Sequence, residues 1–302
     1  MNAALIAAVW ISFAPVLTPR QEVAVTTALG KLYLIGGLQG RTVLASVEEY
    51  DPLTNRWRFI APLPAPRHHA AAAAIGNSIY VIGGFATILF DEVRTVYRYD
   101  IADDRWTQVA DLPAARGALA AVAINGKIYT VGGVPGGQAL TVYDPATNSW
   151  RTLPDMPTPR EHLAAATANG ILFVAGGRMS ENTNAFECYE PDLDRWTVLP
   201  PMPTARGGIA AATLKNRIYV FGGEGNPAIP AGVFAETESF DLATFTWRTE
   251  EPMPHPRHGL GAAAIGNFIF VPAGALVQGF GTSNVNDAIT EELTPRRRSV
   301  RH

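Results

Sequence analysis

One cysteine, Cys188, occurs in 302 residues. No intrachain disulfide framework can hold the chain, so its stability must come from a packed core. A lone cysteine fits a reducing compartment, and a cytoplasmic location is expected, with a secreted or periplasmic one as the alternative. Charge is also sparse. Only 17% of residues are Asp, Glu, Lys or Arg, and the net charge is −3. Such a chain lacks the basic field that nucleic acid or an acidic membrane surface attracts, so neither is an expected partner. No apolar run reaches the roughly 20 residues of a membrane-spanning helix. The nearest, Asn2 to Ala14 (NAALIAAVWISFA), has no Lys or Arg ahead of it, and the first basic residue is Arg20. It therefore resembles a secretory leader only weakly. Ligand motifs such as HExxH are missing too. What the chain has in quantity is 28 Gly and 23 Pro beside 47% hydrophobic residues. That mixture suits many short strands joined by tight turns.

The apolar residues recur with a long period. The tryptophans Trp10, Trp57, Trp106, Trp150, Trp196 and Trp247 are spaced by 47, 49, 44, 46 and 51 residues. Diglycines at Gly36, Gly83, Gly132, Gly176 and Gly222 run in phase with them, and Ala273-Gly274 follows as a degenerate sixth copy. An aromatic stands seven residues before each internal Trp (Tyr50, Tyr99, Tyr143, Tyr189, Phe240). An arginine stands ten residues after each Trp (Arg20, Arg67, Arg116, Arg160, Arg206, Arg257). Each copy divides into four strand-like pieces; in the second they read HHAAAAAIG, SIYVIGG, TVYRYD and RWTQVA. Gly-Asn and Asn-Gly pairs mark the first turn, and Asp-rich turns such as DPLTNR mark the third. Six copies of a four-stranded unit predict an all-β fold, a six-bladed β-propeller of antiparallel sheets.

The diglycine, the spaced Tyr and the spaced Trp are the signature of the kelch repeat, and the chain resembles that family over residues 1 to about 293 (the galactose-oxidase-like propeller superfamily). The alanine-rich first strand of each copy suits the crowded axis, and the large rings suit the wide outer wedge. The last copy has strands near Leu260–Ile265, Phe268–Ala273 and Asp287–Leu293 but no Trp. Residues 4 to 13, with Trp10, are expected to supply its fourth strand and so close the ring without an open edge. Cleavage after Ala14 would remove that strand. Residues 1–294 are thus expected to form one propeller, and 295–302 (PRRRSVRH) a basic, disordered tail.

Antiparallel order places the one-two and three-four turns on one face and the two-three and four-one loops on the other. From diglycine to aromatic the two-three connection takes 13, 15, 10, 12 and 17 residues. Variable loops on a regular frame are where binding resides. The arginine ring occurs in every copy, so a structural role outweighs an anion-binding one, although Arg20, Arg67, Arg116, Arg160, Arg206 and Arg257 are placed with the binding face. Residues that break the repeat carry more information: Gln39, Arg41, His68, Phe85, Arg178, Asn182, Glu224 and His258, with Glu181, Asn184, Asn226, Phe90 and Phe280 beside them. Glu22, His69 and His162 occupy one equivalent position in three copies, with Glu161 adjacent. Such a set suits acid–base or metal chemistry, but hydrogen bonding to loop backbone is the simpler expectation, and no metal or cofactor is expected. Some kelch-like propellers are copper oxidases with a Cys–Tyr crosslink; here Cys188 and Tyr189 are ordinary strand positions, which argues against such a site.

Three functions are consistent with these residues. The first is a non-catalytic, monomeric module that binds a protein or peptide partner through the two-three and four-one loops. No BTB-like or F-box-like segment accompanies the repeats. The second, implied by resemblance to sugar-acid epimerases, is an enzyme for a small anionic sugar, with Glu22, His69, Glu161 and His162 as acid–base residues and Arg67, Arg160 and Arg206 binding a carboxylate. The third is a structural module of a larger secreted assembly.

Overall fold

A computed structural model describes residues 6–293. The expected tail at 295–302 and the first two residues of the expected closing segment lie outside the described residues. Six four-stranded antiparallel sheets radiate about one axis. The second is representative: Ala71–Ile75, Ser78–Ile82, Val96–Asp100 and Arg105–Val109 follow one another from axis to rim. Its first strand reads AAAAI, and such strands from all six sheets surround an axial channel of about 320 Å³ lined mainly by Ala and Thr. Longer side chains there would overlap their symmetry mates. The second strands (LYLI, IYVI, IYTV, LFVA, IYVF and IFVP) are buried on both sides between neighbouring blades, which accounts for their lack of alternation. In the last blade the inner strand is only Ala263–Ile265, shorter than the expected span. Gly261 precedes it, and a Cβ there would lie 2.2 Å from Val25 of the first blade.

The repeat aromatics fasten blade to blade. Tyr50 pairs across the sheet with Trp57, and the same register joins Tyr99 to Trp106, Tyr143 to Trp150, Tyr189 to Trp196 and Phe240 to Trp247. Each Trp then donates its Nε1–H to a carbonyl of the preceding blade: Trp57 to Ala14, Trp106 to Ala61, Trp150 to Ala110, Trp196 to Pro154 and Trp247 to Pro200, at 2.8–2.9 Å. The tyrosine hydroxyls donate to Asn55, Asp104, Asn148 and Asp194, which stand at positive φ in the three-four turns. In the fifth blade the hydroxyl and its acceptor vanish together, since Phe240 replaces the Tyr and Phe245 the Asx residue.

Burial raises the ionisation of these phenols. Tyr50 and Tyr143 are pushed up to about 12, and Tyr33, Tyr99, Tyr189 and Tyr219 further. Above the ordinary tyrosine value of about 10 the unfolded chain releases protons that the folded chain keeps, so stability falls as pH rises. In an alkaline titration, tyrosinate absorbance should lag and then appear in step with unfolding. Smooth ionisation of most tyrosines near pH 10 with the fold intact would contradict this packing.

The ring closes as the sequence suggests. Ile6–Ser12 pairs antiparallel with Asn286–Leu293, from Ile6 opposite Leu293 to Ser12 opposite Asp287. Trp10 Nε1 donates to the Glu251 carbonyl at 2.9 Å, reproducing the bond its five counterparts make. The degenerate Ala273 keeps the left-handed backbone of its glycine counterparts, at φ 61°.

Candidate functional site

The site begins with a backbone ring. Glu22, His69, Ala118, His162, Gly208 and Gly259 all stand at positive φ, between 51° and 69°. The amide of each donates to the carbonyl of its counterpart in the preceding blade: His69 to Glu22, Ala118 to His69, His162 to Ala118, Gly208 to His162, Gly259 to Gly208 and Glu22 to Gly259, at 2.6–3.0 Å. Six hydrogen bonds thus encircle the axis where the channel opens onto the variable loops. The left-handed conformation suits glycine, and two blades use it; a residue with a Cβ is disfavoured there by roughly 1 kcal/mol or more. Glu and His at three of the six positions are therefore not what the backbone selects.

Those three side chains converge. His69 Nε2 is 3.0 Å from His162 Nε2 and 3.1 Å from Glu22 Oε2, and the donor atoms of all three lie within 4.8 Å of one another. Ala118 leaves the gap across which His69 and His162 meet. The expectation that these residues only bond loop backbone is not what the side chains do. Their outer nitrogens are held as well: His69 Nδ1 is 2.6 Å from His68 Nδ1, His68 Nε2 is 2.8 Å from the Thr87 carbonyl, and His162 Nδ1 contacts Glu161 Oε2. Arg178 donates from Nε to Glu161 at 3.0 Å and from Nη1 to Glu224 at 2.6 Å. His258 Nδ1 stands 3.4 Å from Glu22 and 3.5 Å from Glu224.

The charges are correspondingly perturbed. Burial opposes ionisation of Glu22, but His69 and His258 beside it hold its carboxyl far below the usual range. Burial holds His69 well below an ordinary histidine, and His68 is lowered for the same reason. His258 is also buried, yet the Glu22 and Glu224 carboxylates raise it. Above the group lies a cup of about 170 Å³, bounded by Gln21, Arg178, Phe90 and Phe280 among others. Below it a cavity of about 110 Å³ leads toward the alanine channel.

The arginine ring does not face this cup. Arg20, Arg160, Arg206 and Arg257 are fully buried within the blades and pair with Glu48, Glu187, Glu238 and Asp287. Arg116 bonds the Thr130 and Thr141 hydroxyls and the Gly132 and Ala139 carbonyls, and burial draws it down to about 10. Arg67 bonds Thr95 and lies over the Tyr97 ring. Their place on the binding face is thus corrected: a guanidinium turned into its own blade cannot meet a ligand. Phe85 is corrected likewise. It is 2% exposed, packed against His68, His69 and Phe90, in a space left by the absent side chain of Gly117.

The other loop residues separate by role. His68, Glu224 and His258 are buried around the cup. Asn182 donates to the Glu224 carbonyl at 2.7 Å. Asn184 and Asn226 brace their own segments through Met202 and Val233. Gln39 and Arg41 are exposed at the small hairpin Leu38–Gln39 and Thr42–Val43, and Arg41 lies 5.9 Å from the Phe280 ring. Glu181 is exposed. Sequence reasoning missed Gln21 as a strut, which accepts from the Gly281 amide and donates to the Gly279 carbonyl.

Known proteins agree with this architecture. A family model described as the attractin/LZTR1 beta-propeller matches residues 14–223, and the kelch motif matches 205–254. The chain belongs to the kelch-repeat β-propeller family. Among relatives of this kelch propeller, Kelch-like protein 35 of Mus musculus is 37% identical over 75 residues, 25% of this chain and 13% of the relative. Kelch-like ECH-associated protein 1A of Danio rerio is 34% identical over 80 residues, again 25% and 13%. The matched stretches thus span about an eighth of those relatives. The solved structure titled "Structure of YjhT" superposes with a TM-score of 0.80 at 15% identity, covering 93% of this chain and 99% of that one, which is a likeness of fold.

Proposed function

We propose that this kelch propeller is a binding module that takes a protein or peptide partner on its two-three loop face. The supporting observation is where apolar side chains remain exposed. Leu89, Phe90, Met179, Ile229, Val277 and Phe280 are all exposed, and all belong to two-three loops that rise around the polar cup. Other exposed apolar side chains, such as Leu53, Phe59, Leu193 and Val198, stand on the turns and outer strands, while those on the two-three loops surround a cup, and apolar side chains rimming a polar concavity mark an interaction surface. Aromatics and an Arg near them, as with Phe280 and Arg41, are the residue types that anchor interfaces. The anionic-sugar alternative is weaker on the same geometry. Arg67, Arg160 and Arg206 are turned away, and Arg178 already serves two carboxylates.

The reading predicts a face-specific loss of binding. A partner retained by the wild-type chain from its native extract should be lost on the double variant Phe90→Ser with Phe280→Ser. It should be kept on Leu53→Ser with Leu193→Ser, which alters exposed residues of the three-four turns on the opposite face. Equal retention by both variants, or loss only with the turn variant, would overturn the assignment.

A further inference from the structure

The hydrogen bonds around Glu22, His69 and His162 suit one arrangement of protons on neutral imidazoles. A backbone carbonyl only accepts, so His68 Nε2, 2.8 Å from the Thr87 carbonyl, carries a proton. Neutral His68 then offers a lone pair at Nδ1, and the His69 nitrogen facing it at 2.6 Å must donate. That leaves His69 Nε2 bare. His162 Nδ1 faces the Glu161 carboxylate, which only accepts, so His162 donates there and its Nε2 is bare as well. Glu22 contributes a carboxylate oxygen. With the imidazoles neutral, two ring lone pairs and one carboxylate oxygen therefore point at one small region. Three acceptors facing one another repel unless a cation lies between them. A single proton satisfies one or two; a metal ion satisfies all three.

We infer that Glu22, His69 and His162 form a binding site for a borderline divalent transition ion of the zinc or iron type. Two of the three donor separations match one directly: bonds of about 2.0–2.1 Å set ligand–ligand edges of roughly 3.0–3.4 Å, the His69–His162 and His69–Glu22 separations are 3.0 and 3.1 Å, and all three donor atoms lie within 4.8 Å of one another. Two imidazoles and a carboxylate are the donor set such ions accept, whereas calcium and magnesium prefer oxygen alone. Each imidazole is backed as metal-bound histidines are, His162 by Glu161 with Arg178 behind it, and His69 by His68 with Thr87 behind it. The backbone supplies an independent argument. At positions where sibling blades carry Gly208 and Gly259, Glu22, His69, Ala118 and His162 hold disfavoured left-handed conformations, three of the four are the proposed ligands, and conformational strain of this kind clusters at ligand sites. Three protein ligands leave coordination positions free toward the cup, as in zinc sites that bind a further group. The site lies at the floor of the cup whose wall includes Phe90 and Phe280, and it stands without the partner reading.

The sibling glycines supply the variants for the test. His69→Gly and His162→Gly restore the residue the backbone prefers, so both should fold and melt at or above the temperature of the chelator-treated wild type. Chelator-treated wild-type protein titrated with Co²⁺, followed by its visible absorption, should take up about one equivalent per chain and show nitrogen-ligand bands, and Zn²⁺ should displace it. Either glycine variant, and Glu22→Gln, should weaken Co²⁺ binding by more than the ~10–100-fold typical of losing an outer-sphere partner, while Glu161→Gln should fall within that range. His255→Ala, which removes a half-exposed histidine that contacts Asp287 and does not line the cup, should bind as the wild type does. Wild-type protein that takes up no Co²⁺, or uptake undiminished in folded His69→Gly and His162→Gly, would overturn the site.

Discussion

Removing residues 1–12 should leave a chain that does not melt as a cooperative monomer. Ile6–Ser12 is the outer strand of the last blade, paired with Asn286–Leu293 along seven positions. At about 0.5–1.5 kcal/mol per backbone hydrogen bond, that pairing alone is of the order of the whole stability of an ordinary domain, about 5–15 kcal/mol. Trp10 goes with it, and with Trp10 the contact to Phe221 and the bond to the Glu251 carbonyl. The deletion also exposes the edge of Asn286–Leu293, which invites pairing with other chains. Thermal melts followed by circular dichroism, with size-exclusion chromatography, should show a broad or absent transition and soluble aggregates. A peptide of residues 1–14 added in trans should restore part of the transition. A truncated chain that stays monomeric and melts within a few degrees of the intact one would show that the closing strand is dispensable.

The closing strand could be read from Trp10 because a repeat fixes what is missing. Five copies had a Trp at one phase, the sixth copy lacked it, and the chain carried a spare Trp of the right phase at its other end. Blade number and inner-strand composition were legible in the same way. The cup was legible only by half. The phase equated Glu22, His69 and His162, but which of them meet depends on the gap Ala118 leaves and on a left-handed backbone that bends each side chain inward, and neither has a sequence signal in a residue that is not glycine. Phe85 misled for a related reason. Its loop position suggests exposure, while the hole that receives it belongs to Gly117 of the next blade. The carboxylates that hold the arginines did have a signal. Glu48, Glu187 and Glu238 each stand two residues before the repeat aromatic, and Asp287 holds the same phase two residues before Ile289.

Those carboxylates decide what the arginine ring is for. Arg206→Met should destabilise the fold by about 3–5 kcal/mol, because it leaves Glu238 as a buried charge without its partner. Glu238 is 1% exposed, and Arg206 meets it at 2.9 Å while also bonding the Gly222 and Glu236 carbonyls. For a chain of this size that loss lowers Tm by on the order of 6–15 °C. Arg116→Met should cost less, since the partners left behind are hydroxyls and carbonyls rather than a carboxylate. The double variant Arg206→Met with Glu238→Leu should recover much of the loss, since the uncompensated charge is gone and a similar volume of apolar side chain fills the space. Urea unfolding of the three variants separates the two roles proposed for the ring. A ligand-binding arginine would be removed with little change in stability, whereas arginines that close each blade around a buried carboxylate give the order Arg206→Met, then Arg116→Met, with the double variant restored. Reversal of that order would return the guanidinium groups to the list of candidate ligand-binding residues.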